Sequence, residues 1–430
     1  MINPFLKFNT SIILLALVSL FPILKINYNS YTILCLFVFC LYNGLKTKKN
    51  RIKILKRFKK YRKPLLVSVL TFFLLALSLI YTNDINTGLK SLQHILALLI
   101  FPVVCFLFIE RINDDELGFL LSVFVLACLF QLIYIHFNFF NQGLYKNLRE
   151  AKFYDLPFRV SILSLKYQPL HPTYISIWYS LSIAILLKKI PKNINTFNKK
   201  LKFLSFIILI SAFIFTIIIL SSRAGIVSLI IVFATYFIVF FSKKTRFILF
   251  MFFLTTLLLL FKNISFVSAR FIEEFKKTEL LPPEGKRHNS INIRVGIYKC
   301  AVKIIKENPL LGVGVGDTQD KLDSCYESYN TDAYSLKTYN SHNYYFHIVL
   351  SCGLIGFVFF IYSFVFFFKI VYSNNSFVYL SLLLMMITVM FFENFLSRNH
   401  GVIFFSLMNT LFIKFLYDKD SVNRCNCTVQ

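Results

Sequence analysis

Apolar residues along this chain gather into long runs that recur from one end to the other. They neither alternate with polar residues nor form narrow helical stripes. A run of about 17–25 apolar residues crosses a hydrocarbon core of roughly 30 Å as a helix. In lipid every backbone amide needs an internal partner, which leaves helices or a closed barrel. A barrel requires alternation, so the pattern predicts an all-α polytopic membrane protein. The runs lie near 10–26, 31–45, 64–82, 89–109, 117–139, 172–187, 202–221, 224–241, 246–262, 343–371, 376–392 and 400–417, about twelve spans. No small-x-small cleavage pattern follows the first run and a second begins almost at once, so it reads as a retained helix.

The organisation expected from this is nine spans over 1–262, a large loop over 263–342, and three spans with a tail over 343–430. The loop carries its own punctuation. Residues 268–280 predict a short amphipathic helix, broken by Pro282-Pro283-Glu284-Gly285. A second helix is expected over 293–307, with Val295, Ala301, Val302, Ile304 and Ile305 on its apolar side, stopped by Asn308-Pro309. Gly312, Gly314 and Gly316 then mark a turn region, expected to shape the backbone beside a substrate cavity.

Charge supplies orientation. The chain has 47 Lys and Arg against 20 Asp and Glu, a net charge of +27, with a mean hydropathy of +0.65. On a soluble domain that excess points to nucleic acid. Between apolar runs it follows the positive-inside rule and anionic lipid instead, so no nucleic-acid partner is expected. The block at 46–63 reads as a cytoplasmic loop on lipid headgroups, and 188–202 and 243–246 are basic as well. The connections at 27–30 and 83–88 have neither Lys nor Arg, which places both termini in the cytoplasm and the large loop outside. Two long outer connections, 140–171 and 263–342, are basic nonetheless. Two explanations stay open for them: solvated or headgroup-bound surface, or the presentation of an anionic substrate.

The nine cysteines show no metal-ligand spacing. Cys35, Cys40, Cys105, Cys128 and Cys352 fall in apolar runs, and Cys425 and Cys427 sit in the tail. Cys300 and Cys325 share the loop, and spacing leaves their pairing open. Neither a metal nor a cofactor is expected.

Few residues could carry chemistry. Arg223 follows Ser221-Ser222 at the start of the eighth span, where helix amides already favour an anion and a guanidinium suits phosphate or pyrophosphate. The bland alternative is an arginine snorkelling to the interface. Arg294 opens the expected loop helix, with Tyr298 one turn on; a cation there asks for an anionic partner, either ligand or carboxylate. His342, in Ser341-His342-Asn343, sits where polar chain re-enters the membrane and has the chemistry to take a proton from a hydroxyl. His347 reads as structural. Arg159, His171 and Tyr174 lie on the same outer side, as does Glu393, whose simplest partner is the nearby Arg398. Gly312-Val313-Gly314-Val315-Gly316 lacks both the dinucleotide spacing and a following Lys-Ser/Thr, which excludes nucleotide binding.

Three stretches taken in order resemble the O-antigen ligase and O-antigen polymerase superfamily. They are Ser222-Arg223-Ala224-Gly225; the arginine-led helix closing in Glu307-Asn308-Pro309-Leu310-Leu311-Gly312-Val313-Gly314; and Ser341-His342-Asn343 with Cys352-Gly353-Leu354-Ile355-Gly356 beyond. Tyr298 stands where the family often carries tryptophan. The resemblance implies a GT-C-like fold and a metal-independent, inverting glycosyltransferase in the bacterial inner membrane. Its glycan donor would be linked to undecaprenyl pyrophosphate, and its acceptor lipid A–core or another glycan, joined at the periplasmic face. Carried over by motif, His342 is the base and Arg223 and Arg294 hold pyrophosphate. Arg159, His171, Tyr174, Tyr298, Asn343 and Glu393 are expected along the substrate path. Polymerase and protein O-oligosaccharyltransferase activities are the alternatives within the superfamily. From another class, a transporter would line its path with Arg223, Arg294 and Glu393, although the chain shows no duplicated half.

Overall fold

The computed structural model describes residues 9–142, 157–165, 170–191, 193, 195–263, 280–286, 289–335 and 338–427. The amphipathic helix expected at 268–280 lies almost wholly outside them, as do most basic residues of the 140–171 loop. The described residues are helical, with a single isolated bridge between Gly285 and Thr331. The helices are α1 Thr10–Ser19, α2 Ile26–Leu45, α3 Lys48–Leu77, α4 Ile85–Ile95, α5 Ala97–Val103, α6 Asp114–Asn141, α7 Pro157–Leu163 and α8 Pro172–Lys189. They continue as α9 Phe197–Ile219, α10 Arg223–Phe240, α11 Lys243–Asn263, α12 Ser290–Glu307, α13 Thr318–Tyr326, α14 Tyr344–Asn374, α15 Phe377–Val389 and α16 Asn399–Cys427.

This is an all-α polytopic membrane protein. Among the described residues seven helices are long and apolar enough to span a bilayer, or eight if α4 and α5, bent by 42°, count as one broken span. Every expected span falls on a helix, but α1, α8, α11 and α15 stay outside that count. One expectation changes in kind. The basic stretch after residue 46 is helix rather than loop: Thr47 caps α3, which runs on through Pro64 into the membrane-spanning part. Ile52, Leu55 and Phe58 recur every third residue and stay exposed among the lysines, the pattern of a helix lying on a headgroup layer.

The chain divides into two compact units. The first comprises Met1–Phe39, Ile112–Glu273 and Asn374–Thr388. Its centre is α8, buried on every side from Pro172 to Leu187, as expected of a helix apolar all round. Its serines return their hydroxyls to the preceding turn, Ser176 to Pro172 O at 2.8 Å and Ser180 to Ser176 O at 2.8 Å. α10 packs directly on it. A Cβ at Gly225 would lie 2.2 Å from that of Ser176, so glycine sets the approach.

The second unit comprises Cys40–Arg111, Glu274–Ser373 and Val389–Gln430. At one end an ion network around the buried Asp418 and Lys414 joins α3 to α16. Lys60 meets Asp418 at 2.9 Å, the Tyr61 hydroxyl bonds Asp418, and Lys414 donates to Glu110 O at 2.8 Å. Such charges persist in a bundle only when paired.

Elsewhere in this unit the glycine-rich stretch forms a clasp. α14 breaks at Gly353, which has φ +64° and ψ −171°. The break frees the amides of Leu354 and Ile355, which donate to Pro309 O (2.9 Å) and Leu310 O (3.4 Å). In return Val313 N donates to Leu350 O at 2.7 Å. Gly312, at φ +72°, lies so close that a Cβ would sit 2.3 Å from Leu350 O; a Cβ on Gly353 would sit 2.0 Å from Leu310 O. Tyr81 donates to Leu311 O at 2.7 Å, and Asp317 accepts the amides of Asn83 and Asp84 at 2.7 and 2.8 Å. These glycines seat the loop against a broken helix, which differs from the cavity-shaping role expected of them.

Candidate active site

In the second unit the site is assembled from α12, the turn before α14 and the turn after α15. Asn289 starts α12 by accepting the amides of Ile291 and Asn292 at 2.9 and 3.1 Å. The helix therefore begins at Ser290, and Arg294 stands in its second turn rather than at its opening. Ile293, Ile297, Cys300, Ala301 and Ile304 form its buried face, held by a Cys300–Cys325 disulfide to α13. Tyr334 donates to Ile293 O at 2.9 Å, and its hydroxyl fits because residue 296 is glycine.

Ser341, His342 and Asn343 have three different tasks. Ser341, fully buried, donates to Asn394 Oδ1 at 3.0 Å and thereby ties the two turns together. Asn343 accepts the amides of Tyr345 (2.9 Å) and Phe346 (3.2 Å), capping α14. His342 lies between them with φ +43°, and its amide donates to Asn340 Oδ1 at 3.0 Å. A non-glycine residue in that region costs of order 1–3 kcal/mol and persists where the surroundings over-determine it.

Glu393 completes the set. Its Oε1 is 3.5 Å from Arg294 Nη2 and its Oε2 is 3.4 Å from His342 Nδ1. The three side chains are 27%, 23% and 21% exposed for Arg294, His342 and Glu393, so each is shielded yet reachable. Glu393 thus meets the arginine of the loop helix and the histidine, partners its expected pairing with Arg398 did not include. Among the described residues His342 Nδ1 has no hydrogen-bond partner, so Glu393 acts on it through proximity and charge; a carboxylate that near favours the tautomer with its proton on Nδ1, which leaves Nε2 to accept one. Tyr298 braces the arrangement: its hydroxyl donates to Phe391 O at 3.2 Å and lies 3.5 Å from His342 O. Burial pushes that hydroxyl's pKa up, Arg294 pulls it down and Glu393 pushes it up again, so it remains a protonated donor.

The first unit has its own basic cluster. Ser222 caps α10 by accepting Gly225 N at 3.3 Å, and Ser221 before it has φ +50°. His171 caps α8 through Thr173 N at 3.4 Å, and Thr173 and Ser222 share a hydrogen bond of 3.2 Å. Two helix starts therefore lie side by side. Arg159 donates to Leu220 O at 3.2 Å, and Arg223 is the first residue of α10. Tyr174 is buried beside His171, with ring centroids 6.3 Å apart. Arg159, His171, Tyr174 and Arg223 thus gather at one end of this unit, where helix amides and guanidinium groups favour an anion.

The family model described as O-antigen ligase matches residues 204–361. That match supports the O-antigen ligase superfamily. No curated protein matches it. The matched stretch encloses Arg223, Arg294, Tyr298, His342 and Asn343, while Arg159, His171, Tyr174 and Glu393 lie outside it. Members of this family are glycosyltransferase-like enzymes, and the family implies lipid-linked glycan substrates. Sequence reasoning missed the Ser341–Asn394 lock and the contact of Glu393 with His342. The signal for the second was a carboxylate standing alone at the end of an apolar run.

Proposed function

We propose that this O-antigen ligase-like protein moves a glycan from undecaprenyl pyrophosphate to a hydroxyl of lipid A–core at the periplasmic face of the inner membrane. The observation that carries the reading is the Arg294–Glu393–His342 set, a base, its carboxylate and a cation within 3.5 Å contacts. His342 takes the proton of the acceptor hydroxyl through Nε2. The freed oxygen attacks the anomeric carbon, the bond to the pyrophosphate oxygen breaks, and the configuration inverts. Arg294 stabilises the charge that develops on the leaving pyrophosphate, a task a guanidinium group performs without a metal; the family motif makes Arg223 a further pyrophosphate-binding candidate.

Polymerase and protein O-oligosaccharyltransferase activities use the same donor chemistry and differ only in the acceptor. In vesicles given purified donor and acceptor, His342→Ala is expected to insert normally and to abolish transfer; near-normal transfer would falsify the base assignment. A deletion strain separates the acceptors. Bare core with accumulated long lipid-linked chains marks a ligase, core capped by one repeat marks a polymerase, and unchanged glycans mark a transporter.

A further inference from the structure

The face of α12 opposite its buried side carries Val295, Tyr298, Lys299, Val302, Lys303 and Lys306, at helical spacings of three and four. With Glu307 these residues line an open groove of about 580 Å³, within the ~300–1,000 Å³ range of sites for small ligands. The three lysines are exposed, and among the described residues none has a hydrogen bond or ion pair. They extend for about 10 Å along the helix axis. Val302 leaves 39% of its surface open beside them. The groove starts at Tyr298, whose hydroxyl reaches toward His342 O.

We propose that this groove seats the acceptor by its anionic headgroup, a phosphate-bearing saccharide on a lipid anchor. The proposal rests on the transferase reading above and adds to it a place for the second substrate. Two physical points favour the acceptor. The transferase reading assigns the donor's pyrophosphate to Arg294 beside His342, so a separate row of cations calls for a separate anion. Ammonium groups act as point charges suited to phosphate monoesters, and the apolar floor between them accommodates the less polar faces of sugar rings. A ligand held there ends at Tyr298, beside the base that must activate its hydroxyl.

The test uses the full chain in phosphatidylcholine nanodiscs. The probe is purified lipid A–core, either phosphorylated or stripped by phosphatase. Wild type is expected to bind the phosphorylated form at least tenfold more tightly, and K299Q/K303Q/K306Q to bind both forms alike while eluting as the wild type does. A wild type without preference, or a triple variant that keeps it, overturns the proposal. So does a triple variant whose only loss is binding to phosphatidylglycerol nanodiscs, since the groove would then be a headgroup surface. His342→Ala is expected to retain the binding preference while losing transfer, so a failed base assignment and a failed acceptor site give different results.

Discussion

At the scale of single residues, the imidazole of His342 is positioned by what stands around it. Its left-handed backbone is held by Asn340 on one side and by the Ser341–Asn394 bond on the other. On the proposed reading, Glu393, 3.4 Å from Nδ1, leaves Nε2 for the acceptor hydroxyl. Glu393→Gln keeps the shape and an acceptor oxygen but removes the charge beside both Arg294 and His342. It is expected to lower kcat by roughly tenfold to a hundredfold, below the full effect of a lost base, with protein yield unchanged; an unaltered rate in the vesicle assay would remove Glu393 from the mechanism. Arg294→Lys exchanges a planar fork for a point charge, so the donor KM is expected to rise by about an order of magnitude with the acceptor KM little changed.

At the scale of elements, the motif Asn308-Pro309-Leu310-Leu311-Gly312 and the motif Cys352-Gly353 are two halves of one clasp. Gly353 and Gly312 each face a carbonyl of the other segment, at positive φ. Alanine at either position combines a left-handed backbone with a collision, for a cost above about 1 kcal/mol. Gly353→Ala and Gly312→Ala are each expected to lower the melting temperature in detergent. The double variant should lose less than the sum, because both open the same contact. Strict additivity would show that the two halves act separately.

α13 supplies a pH test. Burial raises the pKa of Asp323, Gln319 lowers it by hydrogen bonding, and Asp320 and Glu327 raise it further. A raised carboxyl pKa favours the protonated folded state. Its contribution to stability is therefore fully present below the ordinary carboxylate range and is lost as pH rises through the raised value. Asp323→Asn should flatten that part of the melting-temperature profile and leave the variant no less stable at neutral pH. A profile that keeps its slope would assign it to another group.

At the scale of the whole molecule, compartment and stability meet in the Cys300–Cys325 disulfide, which closes a sequence separation of 25 residues. Loop-closure entropy gives such a bridge about 3 kcal/mol. The double Cys300→Ser/Cys325→Ser variant is expected to loosen α12 and α13 and to reduce transfer, as would reductant added on the outer side of intact cells. An undiminished rate in both cases would show that the site does not depend on this bridge. The orientation expected from charge, with the C-terminus in the cytoplasm and the loop outside, predicts that a reporter fluorescent only in the cytoplasm lights up at the C-terminus and stays dark within the loop.

The sequence by itself determined the class of the molecule, because run length and the cost of unpaired amides in lipid are local matters that leave little choice. It also determined which residue types could bind pyrophosphate or move a proton, since Arg223, Arg294 and His342 stand out against an apolar background. What it could not determine was partnership. Glu393 meets Arg294 and His342 across wide sequence separations, and the glycines that read as a flexible turn serve as a rigid clasp. The helical face of the basic stretch after residue 46 emerged only when α3 formed. The first two depend on which distant segment arrives, and on the carbonyl or carboxylate it brings, so only the tertiary structure decided them.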